Sequence, residues 1–229
     1  MDVPVYNMQG ESVGTMSIDE ASLGGEVNPS LIKQAYVRYH ANRRQGSSRT
    51  KSRSQIKGST RKIYKQKGTG RARHGNKKAN LFKGGGCAHS KTRTHADYRQ
   101  EMPRKMRRKA NRNALLSKVI DGEIRVMDSL AFGEPRTKAF EAMLSALKID
   151  RRALVALSAD PEASRNARLS GRNCSDATLI RSSELTCFEM LNHRYLVIER
   201  GELEAWLSGA SSQTDKRARH EAMGRRESA

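Results

Sequence analysis

The run Arg61-Lys62-Ile63-Tyr64-Lys65-Gln66-Lys67-Gly68-Thr69-Gly70-Arg71-Ala72-Arg73-His74-Gly75 concentrates one kind of chemistry, the gripping of anions. Lysine offers a compact positive charge. Arginine offers a planar fork of donors that meets phosphate in pairs or stacks on a base. Glycine admits positive φ and lets the backbone approach a phosphate or sugar closely. Tyr64 supplies a ring on which a splayed base can stack. Composition alone also allows a generic basic segment. A nucleotide-binding P-loop is excluded: Gly70 and Gly75 have its spacing, but Asn76-Lys77 stands where Lys-Ser/Thr is required. The dinucleotide fingerprint fails too, because Gly68-Thr69-Gly70 leads to Arg73 where a third glycine is needed.

The surrounding charge is one-sided. Residues 27–96 hold nineteen Lys and Arg and no Asp or Glu. Extended to residue 112, the window has 26 basic residues against Asp97 and Glu101, a local +24 in a chain of net +20. The remainder is therefore mildly acidic. A field of this density repels itself and calls for a polyanion to neutralise it, so the expected partner is a nucleic acid.

Other chemistry is sparse. His74, His89 and His95 with Cys87 raise the question of zinc, but a structural site needs four ligands, usually with a paired-cysteine hook, and no second Cys lies near. RNA contact or solvent exposure is the preferred reading for them. His193, after Asn192, reads as a structural turn residue. No Ser/His/Asp or Cys/His arrangement emerges, and the acids are scattered along helices. No catalytic residue, metal or cofactor is expected.

The elements that position the basic run can be read on either side of it. Residues 3–18 look like short β structure broken by Gly10 and Gly14. Asn28-Pro29 starts a helix whose Leu31, Ile32, Ala35, Tyr36 and Tyr39 make one apolar face. From 43 to 96 no helix or strand period survives, and only Ile56, Ile63, Tyr64, Leu81 and Phe82 are large apolar residues. Such a stretch buries too little to offset its ordering entropy, so it should be mobile alone and ordered when bound. Pro103 opens a helix over 104–120. Its first turns carry Arg104, Lys105, Arg107, Arg108 and Lys109, and its later turns offer Ala110, Ala114, Leu115, Val119 and Ile120 to a core. Strands are expected at 124–127, 153–157, 177–180 and 195–198. Helices are expected around Phe140, Met143, Leu144 and Leu147, and at 161–169, 184–191 and 202–207. This alternation argues for parallel β-α-β units.

The 143 residues outside the 27–112 window suffice for one domain with its own core. Three cysteines, Cys87, Cys174 and Cys187, without framework spacing fit a reducing compartment. No apolar run reaches membrane-span length, and the first residues lack a leader's basic and apolar regions. A cytoplasmic protein is expected.

Lys65-Gln66-Lys67-Gly68-Thr69-Gly70-Arg71-Ala72-Arg73, then Phe82-Lys83-Gly84-Gly85-Gly86, then Pro103 through Arg104-Lys105-Met106-Arg107-Arg108-Lys109-Ala110 closely resemble the L-four family of large-subunit ribosomal proteins in its bacterial form. Glu189-Met190-Leu191-Asn192-His193 leading into Tyr195-Leu196-Val197-Ile198 is also similar to that family, and the likeness runs from about residue 3 to 207. The chain departs from the family's usual pattern at Ile63-Tyr64 (Pro-Trp is usual), at Ala79-Asn80 (Ser-Pro), at Ala110 (Leu) and in its long polar tail.

The resemblance implies an α/β fold, a three-layer globular domain with a mostly parallel short sheet plus a long basic internal loop. Its organisation would be 1–42 and 104–208 as the globular domain, 43–103 as the RNA-binding loop and 209–229 as a flexible tail. The loop would thread into large-subunit ribosomal RNA, with limbs of about 27 residues reaching at most roughly 90 Å. RNA contacts are expected from Arg43, Arg44, Arg49, Lys51, Arg53, Lys57, Arg61, Lys62, Tyr64, Lys65, Lys67, Gly68, Gly70, Arg71, Arg73, Lys77, Lys78, Phe82, Lys83 and Arg93, and from Arg104, Lys105, Arg107, Arg108 and Lys109. The family's tunnel-facing tip corresponds to Lys65, Gln66, Lys67, Gly68, Thr69 and Gly70. Implied partners are large-subunit ribosomal RNA, neighbouring ribosomal proteins and the nascent peptide, with no membrane and no small-molecule substrate. Two rival readings are a regulatory RNA-binding protein that represses a messenger and, less favoured, a nucleic-acid enzyme. The enzyme would need convergent acids, and the basic window offers only Asp97 and Glu101.

Overall fold

Six short strands pair into one mixed sheet in the computed structural model, which describes residues 1–91 and 98–209. Strands β1 (Asp2–Tyr6) and β2 (Ser12–Ser17) form an antiparallel hairpin. Gly10 turns it at φ 83°, where an added Cβ would sit 2.5 Å from the Ala146 carbonyl oxygen. Gly14 lies inside β2 rather than ending it, and pairs with Val5. The remaining strands are β3 (Ile124–Met127), β4 (Ala153–Leu157), β5 (Ala177–Arg181) and β6 (Tyr195–Glu199). The order is β2-β1-β3-β6-β4-β5, and every pairing except β1–β2 is parallel. The α/β class and the mostly parallel sheet are therefore as the sequence predicts.

Alternation along the strands divides the apolar residues between two faces. One face carries Val3, Val5, Ile124, Val126, Leu154, Ala156, Leu196 and Ile198. It packs with residues of α1 (Glu20–Leu23), α2 (Pro29–Arg43), α3 (Arg104–Ile120), α6 (Cys187–Asn192) and α7 (Arg200–Ser208). The other carries Met127, Ala153, Val155, Leu157, Tyr195 and Val197 and packs with Phe140, Met143 and Leu144 of α4 (Thr137–Ala146) and Ala167 of α5 (Arg165–Gly171). Helix, sheet and helix make three layers.

Helix α2 starts as its sequence dictates, with Asn28 Oδ1 accepting the Leu31 N–H at 3.0 Å ahead of Pro29. Three expectations are corrected. Residues 161–164 are not helix: the Ser164 hydroxyl donates to the Asp160 carbonyl at 2.7 Å and holds a turn that delays α5 to Arg165. The helix expected over 184–191 is split, because Leu185 and Thr186 are extended between a 3-10 turn (Ser182–Glu184) and α6. Ile120 is 53 % exposed, since the last turn of α3 rotates it off the core face.

Contacts divide the chain into two units, one made of Met1–Tyr39 with the chain from Glu101 onward, the other of His40–Gln100. The described residues between α2 and α3 contain neither helix nor strand. The tail expected after residue 209 lies outside the described residues.

Candidate nucleic-acid interface

The unit His40–Gln100 contains eighteen Lys and Arg and one carboxylate, Asp97, for a net charge of +17. Only +3 is left for the rest of the chain. Past the last residues of α2, its described backbone has no regular secondary structure and is tied by bonds between distant residues. Asn42 and Gln100 bond reciprocally, Asn42 Nδ2 to the Gln100 carbonyl at 3.1 Å and the Gln100 N–H to Asn42 Oδ1 at 2.8 Å. Thr50 and Lys91 do likewise, the Thr50 N–H to the Lys91 carbonyl at 3.1 Å and the Lys91 N–H to Thr50 Oγ1 at 2.7 Å. Further along, the Cys87 N–H donates to the Lys51 carbonyl at 3.0 Å, and the Ile63 N–H to the Gly75 carbonyl at 2.9 Å. The Tyr64 hydroxyl donates to the Ala72 carbonyl. Beyond that bond the chain turns back through residues 65–71, where Gly68 (φ 79°) and Gly70 (φ 62°) hold left-handed conformations with open space around them. The segment expected as the tip thus occupies the turn enclosed by the Tyr64–Ala72 bond.

Most of the expected phosphate-binding side chains are exposed. Arg43, Arg44, Arg49, Lys51, Arg53, Lys57, Arg61, Lys62, Lys65, Lys67, Arg71, Arg73, Lys77 and Lys83 all face solvent, as do Gly68 and Gly70. Tyr64, Lys78 and Phe82 are half-buried. Two of the aromatic groups have partners within the unit. Tyr64 is held by its hydroxyl, and Phe82 meets His74 edge-on at 5.0 Å between ring centroids. Lys62 Nζ bonds Gln66 Oε1 across the start of the turn, and the Arg44 guanidinium lies 3.5 Å from the centroid of Tyr98. Arg93 lies outside the described residues.

In the other unit, α3 carries Arg104, Lys105, Arg108 and Lys109 exposed and Arg107 half-buried. Its first turn has no acid, and Pro103 provides no capping side chain. Cations at the positive end of a helix dipole are unfavourable by about 0.3–1 kcal/mol each. A phosphate at this end would reverse that term. The same helix is anchored by polar groups that the sequence reading passed over. Asn111 Oδ1 accepts the Cys187 N–H at 2.9 Å. Asn113 Nδ2 donates to the Glu26 carbonyl at 2.6 Å, and its Oδ1 accepts the Asn28 N–H. Lys118 Nζ reaches Glu123 at 2.6 Å and the Arg194 carbonyl at 2.8 Å. The Arg112 guanidinium caps the end of α7 through the Leu207 carbonyl at 3.1 Å. The signal for Asn111 and Lys118 was their place in the helical stripe with Ala114 and Leu115.

The buried cysteine offers no nucleophile: burial pushes the Cys187 thiol up to about 12. Among the described residues no group of three His, Cys, Asp or Glu is arranged to hold a metal ion, and no helix is long and apolar enough to cross a membrane.

Comparison with known proteins agrees with this chemistry. The profile of the ribosomal protein L4/L1 family matches residues 16–208. The chain is 38% identical over 197 residues to large ribosomal subunit protein uL4 of Desulforudis audaxviator, covering 86% of this chain and 92% of that protein. It is 38% identical over 198 residues to the protein of the same name from Dehalococcoides mccartyi (86% and 92%). With the one from Lachnospira eligens it shares 37% identity over 204 residues (89% and 96%). The +17 unit and the cationic start of α3 both fall inside the matched region, and the chain belongs to the ribosomal protein L4/L1 family.

Proposed function

We propose that the chain is a structural constituent of the large ribosomal subunit in the cytoplasm, performing no reaction of its own. It binds large-subunit ribosomal RNA through the basic residues of 43–93 and the first half of α3. The turn of Lys65, Gln66, Lys67, Gly68, Thr69 and Gly70 lines the nascent-peptide exit tunnel. Its partners are that RNA, neighbouring ribosomal proteins and the passing peptide. The observation that carries this reading is the charge imbalance of one unit, eighteen cations to one carboxylate, in a member of a ribosomal protein family. The α/β unit supports it by anchoring α3 through Asn111, Asn113 and Lys118 while leaving the helix's cationic start exposed.

Salt dependence tests the RNA contact directly. With ten cations on phosphate, log K against log salt has a slope of about −7 to −9, at about 0.7–0.9 counterions per contact. A slope shallower than about −3 for binding to a large-subunit RNA transcript would mean that most of this charge meets only solvent.

A further inference from the structure

Gly86 is the single buried residue among the described residues of His40–Gln100. Its backbone is not left-handed, so conformational freedom does not explain the glycine. Space does. A Cβ at Gly86 would lie 2.2 Å from the Arg53 nitrogen, 2.4 Å from the Arg53 Cα and 2.7 Å from the Ser52 carbonyl carbon. One at Gly85 would lie 2.0 Å from the Ala79 carbonyl oxygen. All these neighbours are backbone, which cannot rotate aside. Hydrogen bonds close the same crossing: the Gly86 N–H donates to the Lys78 carbonyl at 3.0 Å and the Cys87 N–H to the Lys51 carbonyl at 3.0 Å. Three segments, 51–53, 78–79 and 85–87, therefore meet where only hydrogen fits between them.

The crossing lies between the outer ties at Thr50–Lys91 and the inner tie at Ile63–Gly75, so it sets how the outgoing and returning chains register before they reach the tip. It also gathers Lys51, Arg53 and Lys78 where no carboxylate is near in sequence, a costly arrangement until an anion neutralises it. We propose that Gly85 and Gly86 are positioning residues for RNA recognition: their crossing fixes the register of the two limbs and thereby aims residues 65–71 at their RNA site. The proposal rests on the RNA-binding reading above.

The test uses the full chain carrying Cys87→Ser and Cys174→Ser, which leaves only buried Cys187, with a hydroxyl-radical source tethered at Thr69→Cys in the turn or at Met106→Cys on α3, bound to a large-subunit RNA transcript. Gly86→Ala is compared with Gly133→Ala, outside the basic unit between β3 and α4, whose added Cβ meets nothing within 4 Å. Gly86→Ala should relocate or abolish cleavage from position 69 and leave cleavage from position 106 in place. Its affinity should fall by about tenfold or more, and its salt slope should flatten by about 2–3 as the three cations Lys65, Lys67 and Arg71 lose phosphate. Gly133→Ala should behave as the parent. Unchanged cleavage from position 69 in Gly86→Ala overturns the positioning role alone. Loss of cleavage from both positions, with a lowered unfolding midpoint of the buried Trp206, shows a general folding defect and overturns it as well. A parent protein that fails to bind the transcript removes the RNA-binding reading itself, and this inference with it.

Discussion

Replacing Asn113 by alanine should weaken the fold more than any exposed asparagine could. Asn113 is fully buried and serves the backbone between α1 and α2: the Glu26 carbonyl at 2.6 Å, the Leu23 carbonyl at 3.4 Å and the Asn28 N–H. Alanine removes these bonds and strands at least one donor and one acceptor in a partly buried site. Each such group costs about 1–3 kcal/mol, so the loss should be about 2–4 kcal/mol. At about 2–4 °C per kcal/mol for a chain of this size, Tm should fall by roughly 5–15 °C. The functional interest is that Asn113 ties the start of α2 to α3, the two helices that flank the basic unit in sequence. The chain's one tryptophan, Trp206, is buried against the same apolar cluster and reports unfolding by its fluorescence. The control is Asn192→Ala, which loses one exposed bond from the Tyr36 hydroxyl and should stay within about 0.5 kcal/mol. Equal midpoints for the two variants would refute the claim that the Asn113 amide organises this corner.

Lys67→Glu should leave assembly into large subunits near normal but displace the turn, because repulsion from phosphate at about 4 Å is of order 1–4 kcal/mol. Altered nascent-chain stalling with changed probing of the RNA around the tunnel constriction is expected, with Lys216→Glu as a silent control; identical probing would misplace the tip. Alkylation of the native protein near pH 8 should label exposed Cys87 and spare Cys187, whose thiol, at about 12, is ionised in roughly one molecule in ten thousand. Equal labelling before denaturation would contradict its burial. Desolvation, reinforced by Glu202 and Asp128, raises the Glu199 carboxyl above its ordinary value. The folded state therefore holds this proton more tightly than the unfolded chain, and stability from this group falls as pH rises through that window. Glu199→Gln should accordingly raise Tm above neutral pH and change little near pH 3; the reverse order would refute the sign.

The sequence displayed most of the fold because its punctuation was strong. Pro103 and Asp121-Gly122 bracket α3, and Ile124–Met127 and Ala153–Leu157 stand as short apolar runs between turns. What escaped was short or conditional on packing. Helix α1 has four residues, too few for a period, and is held by Asp19 accepting from the Ala21 and Ser22 N–H groups. Leu185 breaks an apparently continuous helical stripe because it is wholly buried in an extended conformation. At the candidate interface the cations were plain from composition. The role of Gly86 was not, since a close backbone crossing between residues 33 positions apart leaves no local pattern. Asn113 was likewise invisible, its partners lying more than 80 residues away.

Incorporation of this chain into the large subunit can be read from its stoichiometry in ribosomal particles. Quantitative mass spectrometry across a sucrose gradient should find one copy per large subunit, retained through a moderate salt wash and absent from free small subunits. Recovery mainly in the ribosome-free fractions, or at a small fraction of one copy per large subunit, would contradict it.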